Sequence, residues 1–352
     1  MSSVVALIRS LFCSPEGGKS NERSRDLVNR IVAAHDVLAG LDDLSPGPIT
    51  DKTLGDLVAL CCESHDSATV EKVLANRRIA PILPSLRRIS SQSECCLETH
   101  WSTQIATTGP ASRPGETLAL LRSFPYFQNY VELARLELCA LRAVEPQTPR
   151  HIAFLGSGPL PLTSICLLRL LRGGEADGIE NDDEDGDRDS GHHQTPPPAT
   201  QNKEPDYDTN SSSSSSGSDP EKPRPCVVNV DRDAAALAVS QALCARLGPW
   251  SRGMAFQESE ARLASGLEGF DVVFLAALVG ASARDKEDVV VAVARRMRPG
   301  ALMVVRSAHG LRTVLYPVVD LSSDRLREVL QVETVTHPYG KVVNSVIIAR
   351  VK

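Results

Sequence analysis

The chain has 352 residues, an ordinary hydrophobic fraction of 42% and a formal net charge of −6, and this length suffices for two domains with separate cores. Residues 173–225 hold 14 acidic and 4 basic residues, so the rest of the chain is mildly basic, with a net charge of +4. That charge is far below the level of a nucleic-acid-binding surface, and no apolar run reaches the about 20 residues of a membrane span, so we expect no nucleic acid and no membrane as partners.

The first part of the chain has the periodicity of helices. In "RDLVNRIVAAHDVLAGL" and "YFQNYVELARLELCALRA", apolar residues recur every three or four positions, which is the spacing of one helix face. These positions are Leu27, Ile31, Ala34 and Leu38 in the first stretch and Tyr130, Ala134, Leu138 and Leu141 in the second. We predict an all-α domain over residues 1–147, with helices beginning near residue 20.

Beyond residue 148, strand-like runs alternate with helical patterns. The predicted strands are "HIAFLG", "CVVNVD", "GMAFQE", "FDVVFLAAL", "ALMVVRS", "EVLQVETVT" and "NSVIIARVK". Helical patterns follow the first, second and fourth of these runs, which indicates a mostly parallel sheet covered on both faces. No helix separates the last two, which indicates a closing antiparallel hairpin. The pattern predicts an α/β domain over 148–352 with a Rossmann-like sheet of the class I methyltransferase type.

An insert interrupts this domain at residues 173–225. It consists of an acidic block, a proline cluster and a serine tract. With almost no apolar side chains to bury, such a segment cannot offset the entropy lost on ordering. We therefore predict that the insert is disordered.

The nine cysteines indicate a reducing compartment. Four of them form the adjacent pairs Cys61-Cys62 and Cys95-Cys96, and the sequence contains no C-x-x-C motif. This pattern fits neither a disulfide framework nor a zinc site. We expect reduced thiols and no metal ligands. The N-terminal "SSVVALIRSLF" is short, is broken by Arg9 and lacks a small-residue cleavage site, so we predict no signal peptide and a cytoplasmic location.

A glycine turn follows the first predicted strand in "HIAFLGSGPLPLTS". Gly156, Ser157 and Gly158 stand where a nucleotide-binding loop would begin a helix, but the third glycine of a dinucleotide fingerprint is missing. The acidic residue expected about 20 positions on is Asp231, which is 20 residues after Gly158 once the 53 inserted residues are left out. A carboxylate there can bind both ribose hydroxyls of an adenosine ligand. The sequence of the turn thus predicts a binding site for a nucleoside without a pyrophosphate, such as S-adenosylmethionine, rather than a plain strand-to-helix turn.

Several longer motifs carry a more specific resemblance. "FLGSGPLPLTS", "DVVFLAALVG", "RSAHGLRTVLYP", "VVNSVIIA" and the upstream "FPYFQNY" closely resemble the nicotianamine synthase family, over roughly residues 90–352 apart from the insert. The resemblance implies transfer of the 3-amino-3-carboxypropyl group of S-adenosylmethionine. Three molecules condense, each transfer releases methylthioadenosine, and an azetidine ring closes. The product is a metal chelator, so the resemblance implies no cofactor beyond S-adenosylmethionine, which is the substrate.

Two glutamates in "SECCLETHWS" are candidates for the proton acceptor. Glu94 and Glu98 lie four positions apart, on one face of a predicted helix. Spacing alone favours a solvated surface pair. The resemblance to the family's glutamate motif implies that Glu98 is the base or amine anchor, with Glu94 a weaker substrate-binding candidate.

Two tyrosines in "SFPYFQNYVEL" are the other catalytic candidates. Tyr126 and Tyr130 also lie four positions apart, a spacing at which aromatic residues usually belong to a core. The resemblance implies that a tyrosine hydroxyl orients the attacking amine. Tyr126 is the first choice and Tyr130 the second.

Four further candidates follow predicted strands. Leu275 and Ala276 are expected to line the ligand site at the carboxyl edge of the sheet. Arg306 could bind a substrate carboxylate through two N–H groups or form a structural ion pair. His309 could carry a proton or only support the site through a hydrogen bond.

Two other functions remain open from the sequence. One is an ordinary S-adenosylmethionine-dependent methyltransferase, which would release S-adenosylhomocysteine rather than methylthioadenosine. The other is a non-catalytic ligand-binding or scaffold protein whose acidic insert recruits partners. The number of condensation rounds and the oligomeric state cannot be read from spacing.

Overall fold

The computed structural model describes residues 16–108, 114–173, 225–280 and 282–352. In this part of the chain, helices precede the first strand, as the periodicity predicts. They are α1 (Glu16–Ala39), α2 (Pro48–Cys62), α3 (Ser67–Leu74), α4 (Leu83–Thr107), α5 (Pro114–Arg122) and α6 (Phe127–Val144). Residues 174–224, which make up almost all of the predicted disordered insert, lie outside the described residues.

A seven-stranded sheet follows the helices. Its strands are β1 (His151–Leu155), β2 (Cys226–Asp231), β3 (Met254–Glu258), β4 (Val272–Leu275), β5 (Leu302–Ser307), β6 (Leu330–Thr336) and β7 (Ser345–Val351). Helices α7 (Leu162–Leu171), α8 (Ala234–Leu247), α9 (Ala283–Ala294) and α10 (Asp324–Val329) lie between the strands. Short 3-10 helices cover Gly248–Ser251, Ala261–Leu263, Leu267–Gly269 and Gly310–Val314.

The strand order is β3-β2-β1-β4-β5-β7-β6. Strands β1 to β5 pair in parallel, and β7 is antiparallel to both β5 and β6. This arrangement confirms the predicted Rossmann-like sheet with its closing hairpin. Because β1 lies between β2 and β4, the order reverses at β1, and ligands of such sheets bind at the carboxyl edge beside this point.

The core continues from the helices into the sheet. One hydrophobic cluster joins α4 and α6 to one face of the sheet through residues such as Ile105, Leu138 and Phe154. A second cluster packs α9 and α10 on the opposite face. A third cluster packs the four helices α1, α2, α3 and α4 on the 3-10 helix at Gly310–Val314. The predicted boundary at 147/148 falls between α6 and β1, and shared apolar packing across it fixes the helices over the carboxyl edge of the sheet.

Candidate active site

The glycine turn after β1 requires glycine at two positions. Gly156 and Gly158 have φ angles of 80° and 64°, in the left-handed region that favours glycine. A Cβ on Gly156 would lie 2.3 Å from Cγ2 of Val279, so the valine side chain or the turn would have to shift. The turn therefore packs directly on the segment that follows β4.

Asp231 lies at the end of β2, beside this turn. Its Oδ2 accepts a hydrogen bond from the Gly158 N–H at 2.8 Å, and its Oδ1 accepts one from the Asp233 N–H at 3.0 Å. A carboxylate oxygen has more than one acceptor position, so both oxygens can still accept bonds from a ligand. The structure thus brings Asp231 to the glycine turn, as the corrected spacing predicts.

A cavity of about 1020 Å³ opens over the turn. Its walls come from α4, the start of α6, the glycine turn, the end of β2, the segment after β4, and residues 315–317 and 342–344. The predicted site residues among its lining are Glu94, Glu98, Tyr126, Tyr130, Gly156, Ser157, Gly158, Asp231, Ala276 and Arg306. Most of the predicted site therefore shares one cavity between the helices and the sheet.

Two predicted site residues lie elsewhere. Leu275 is fully buried in the core on the α9 side of the sheet, while its neighbour Ala276 reaches the cavity. His309 is exposed, and its ring stacks on that of His337 at 4.0 Å between centroids. The chain turns after β5 so that the His309 side chain lies outside the cavity lining.

Glu94 and Glu98 project from α4 into the cavity. The Tyr130 hydroxyl donates to Oε1 of Glu98 at 2.5 Å and reaches Oε1 of Glu94 at 3.4 Å. The Tyr316 hydroxyl donates to Oε2 of Glu94 at 2.8 Å. The other oxygen of Glu98, Oε2, lies 3.0 Å from the position that a Cβ of Gly158 would occupy. Glu98 therefore faces the glycine turn, with its far oxygen held by Tyr130.

Both carboxyl groups are shifted toward their protonated forms. Removal from water, and after it the negative charge of Glu94, raises the pKa of Glu98 to about 8. Desolvation also raises the pKa of Glu94, against the opposing hydrogen bond from Tyr316. A carboxyl group with a pKa near neutrality is suited to accept and return protons.

The two predicted tyrosines have different surroundings. Tyr130 contacts Glu98 through its hydroxyl, whereas the ring of Tyr126 packs edge-on against Phe124 at 6.0 Å. Desolvation raises the pKa of both phenols, so each stays a neutral hydrogen-bond donor. The geometry thus brings Tyr130 to the candidate base, although sequence analysis placed Tyr126 first.

Arg306 is held in an ion pair with Glu137. Its Nε and one terminal nitrogen donate to the two Glu137 oxygens at 2.7 and 3.0 Å, and the terminal nitrogen also donates to Thr163 at 2.9 Å. Glu137 is fully buried. Of the two roles considered for Arg306, this geometry is that of the structural ion pair, and its positive charge opposes the upward pKa shifts of Glu94 and Glu98.

Tyr316, Glu137 and Lys286 are not among the residues predicted from the sequence. Tyr316 stands in the motif "RTVLYP", and Glu137 lies three positions after Ala134 on the apolar face of α6. An isolated polar side chain in an apolar pattern is a signal that could have identified both. Lys286 gives no such signal, because "ARDKED" reads as a solvated helix start.

The described residues contain neither a metal-binding cluster nor a membrane-spanning helix. No group of three or more histidine, cysteine, aspartate or glutamate side chains among them is arranged to hold a metal ion. No helix in the same residues is long and apolar enough to cross a membrane.

The strand order, the glycine turn and Asp231 define a Rossmann-like fold of the class I methyltransferase type. The family described as "Nicotianamine synthase protein" matches residues 20–352. The chain belongs to the nicotianamine synthase family.

Curated relatives and a solved structure agree with this assignment. "Nicotianamine synthase 9" of Hordeum vulgare is 35% identical over 341 residues, covering 95% of this chain and 82% of the relative. "Nicotianamine synthase 1" of Arabidopsis thaliana is 31% identical over 325 residues, covering 92% and 83%. The crystal structure of MtNAS in complex with MTA and tNA has a TM-score of 0.64 at 20% identity, covering 93% of this chain and 97% of that chain, and shows the same fold.

Proposed function

We propose that this chain is a nicotianamine synthase that transfers 3-amino-3-carboxypropyl groups between S-adenosylmethionine molecules. The observation that carries the proposal is the placement of Glu98, whose carboxyl group faces the glycine turn with a pKa raised to about 8. A ligand held on the turn would meet a proton acceptor at the other wall of the cavity. The curated relatives that the chain matches carry the name nicotianamine synthase, which supports the proposal.

The glycine turn and Asp231 would bind the adenosine part of S-adenosylmethionine. The carboxylate of Asp231 has acceptor positions left for the ribose hydroxyls, and the backbone at Gly156 and Gly158 allows close approach. A crystal structure of an MtNAS mutant is described as a complex with S-adenosylmethionine. We propose S-adenosylmethionine as the only small molecule that the reaction needs.

The transfer itself is a displacement at a carbon next to the sulfonium. The free amine of the acceptor attacks the terminal carbon of the 3-amino-3-carboxypropyl group, a C–N bond forms, and the C–S bond breaks. The bonding pair returns to sulfur, so neutral methylthioadenosine leaves, and the proton of the new ammonium passes to a base. Which of the three carbons is attacked depends on where the amine is held.

Glu98 is the base in this proposal. An ammonium group cannot attack, and a carboxyl group near its pKa can take the proton and release it to solvent. Tyr130 orients Glu98, and Tyr316 orients Glu94, whose carboxyl oxygens can accept a hydrogen bond from the amine. Tyr126 lines the same wall and remains a candidate for contact with the acceptor. The cavity of about 1020 Å³ is at the upper limit of small-molecule sites, which leaves room for a growing chain.

The compartment that we propose is the cytoplasm. The adjacent pairs Cys61-Cys62 and Cys95-Cys96 form no disulfide bonds. Unpaired thiols are typical of proteins in reducing compartments.

The sulfur-containing by-product tests the proposed reaction. Incubation of the purified protein with S-adenosylmethionine is expected to release methylthioadenosine. Mass spectrometry should also find a product with the mass of three 3-amino-3-carboxypropyl groups less three hydrogens, because each new C–N bond, including the one that closes the ring, replaces one N–H bond. Recovery of S-adenosylhomocysteine with an added acceptor would assign the chain to the methyltransferases instead. Binding of S-adenosylmethionine without turnover would identify a ligand-binding protein.

Replacement of Asp231 by alanine tests the ligand position. The change removes the acceptors proposed for the ribose hydroxyls and the bond to Gly158, so we expect the Kd for S-adenosylmethionine to rise about tenfold to hundredfold. Glu258 ends the neighbouring strand β3, opposite Asp231, and is exposed outside the cavity lining. Glu258→Ala removes the same charge and is expected to leave the Kd unchanged; titration calorimetry on both variants distinguishes a specific contact from loss of charge.

A further inference from the structure

Lys286 is a buried ammonium group behind the wall of the cavity. It lies in the first turns of α9, and its side chain is 0% exposed. Nζ donates to three backbone oxygens of one segment, those of Ala276 at 3.0 Å, Ala277 at 2.7 Å and Val279 at 3.3 Å. One side chain thus joins α9 to three carbonyl groups of the segment that follows β4.

The same segment forms the wall that faces the glycine turn. Val279 packs on Gly156 so closely that a Cβ there would lie 2.3 Å from its Cγ2. Gly280 has a φ of 95°, and a Cβ on it would lie 2.6 Å from Cα of Lys286. This close approach of the backbone lets the ammonium group reach the carbonyls. Lys286 therefore contacts the segment 276–280, and this segment in turn contacts the glycine turn.

Burial of a charge at this position costs free energy, so the benefit of the lysine must come from its hydrogen bonds to the three carbonyl groups. Burial, and after it the positive charge of Arg306, lowers the pKa of Lys286 to about 7. A methionine of similar length would fill the space without burying a charge. What methionine cannot supply is the set of N–H donors, which in a low-dielectric interior restrain the three carbonyls strongly.

We propose that Lys286 is a positioning residue that holds residues 276–280 against the glycine turn and thereby sets the affinity for S-adenosylmethionine. It does not touch the reacting atoms and acts through the backbone of the segment. The inference rests on the proposed function only in taking S-adenosylmethionine as the ligand.

The test compares two variants of the same helix. Lys286→Met removes the donors and keeps the stem of the side chain, so we expect the Kd for S-adenosylmethionine, measured by titration calorimetry, to rise about tenfold. Val290 lies one helical turn further along α9, is buried in the core, and makes none of the three carbonyl contacts. Val290→Ala lowers the stability of the helix packing and is expected to leave the Kd at the value of the unchanged protein.

Two further readouts separate positioning from general stability. In Lys286→Met the amide hydrogens of residues 276–280 are expected to exchange faster, whereas in Val290→Ala they are not. Lys286→Gln keeps two N–H donors, so its Kd should lie between those of the unchanged protein and Lys286→Met, and it carries the test if Lys286→Met does not fold. The proposal would be overturned by an unchanged Kd in Lys286→Met or, if that variant does not fold, in Lys286→Gln. It would also be overturned if the Kd rose equally in Val290→Ala. Release of S-adenosylhomocysteine by the unchanged protein would overturn the proposed reaction instead and leave this comparison valid.

Discussion

Glu98→Gln is expected to slow the release of methylthioadenosine about a hundredfold to ten-thousandfold, the range typical of a lost general base. Glutamine has the size of glutamate, and its carbonyl oxygen can still accept the hydrogen bond from Tyr130. What the variant loses is the ability to take a proton from the attacking amine. The Kd for S-adenosylmethionine at the glycine turn is expected to change less than about threefold, since that contact does not use the charge. Calorimetry and a rate assay on the same preparation measure both quantities.

The pH dependence provides the control for this assignment. Because the pKa of Glu98 is raised to about 8, the free protein holds the base in its protonated form at lower pH. We therefore expect kcat/KM to increase with pH up to about 8 and then to level off. Glu98→Gln should lack this increase of kcat/KM with pH. An increase that persists in the variant would assign the titration to the substrate amine and contradict the role of Glu98. Since Glu94 titrates beside Glu98, the observed value belongs to the pair.

The same shift has a consequence of known sign for stability. Between the unfolded pKa of about 4.3 and the folded value of about 8, the folded state binds more protons at Glu98 than the unfolded state. Stability from this group is therefore fully present at low pH and is lost as the pH rises through the folded pKa. Glu98→Gln removes the cost of a buried charge, so its Tm should exceed that of the unchanged protein above pH 8. The residue that supports turnover is then one that weakens the fold.

The fold could be predicted because its signals are local. Alternation of strand and helix patterns predicts that β1 to β5 form a mostly parallel sheet. The absence of a helix between the last two predicted strands predicts the β6–β7 hairpin. Asp231 could be placed beside Gly158 because carboxyl ends of neighbouring parallel strands meet at one edge. Only the insert had to be subtracted before the spacing became visible.

The polar contacts of the site could not be predicted in the same way, because they join distant parts of the chain. Tyr316 and Glu94 are 222 positions apart, and Arg306 and Glu137 are 169 positions apart. Neither spacing nor periodicity pairs such residues. His309 illustrates the converse, since its position after β5 places it near the right edge, and the direction of the chain after β5 then carries its side chain away from the cavity.

The buried ion pair of Arg306 and Glu137 is expected to dominate the stability of the site. Glu137→Leu would leave the guanidinium buried beside the ring of Phe154 with Thr163 as its remaining partner in this group, and removal of one partner of such a pair costs about 3–5 kcal/mol. The double variant Glu137→Leu/Arg306→Met removes both charges and replaces them with apolar side chains, so it should recover most of that loss. Urea unfolding of the two variants measures the difference; equal destabilisation would show that packing, not the unpaired charge, is responsible.

The double variant also separates the two effects of Arg306. Its positive charge opposes the upward pKa shifts of Glu94 and Glu98, so without it both carboxyl groups should hold their protons to higher pH. In a folded double variant we therefore expect the rising limb of kcat/KM to move upward in pH. If a stable double variant shows the same pH dependence of kcat/KM as the unchanged protein, the role of Arg306 is structural only. If the rise in kcat/KM moves to higher pH, the ion pair also sets the pKa of the base that the reaction uses, although Glu137 itself lies fully buried away from the cavity.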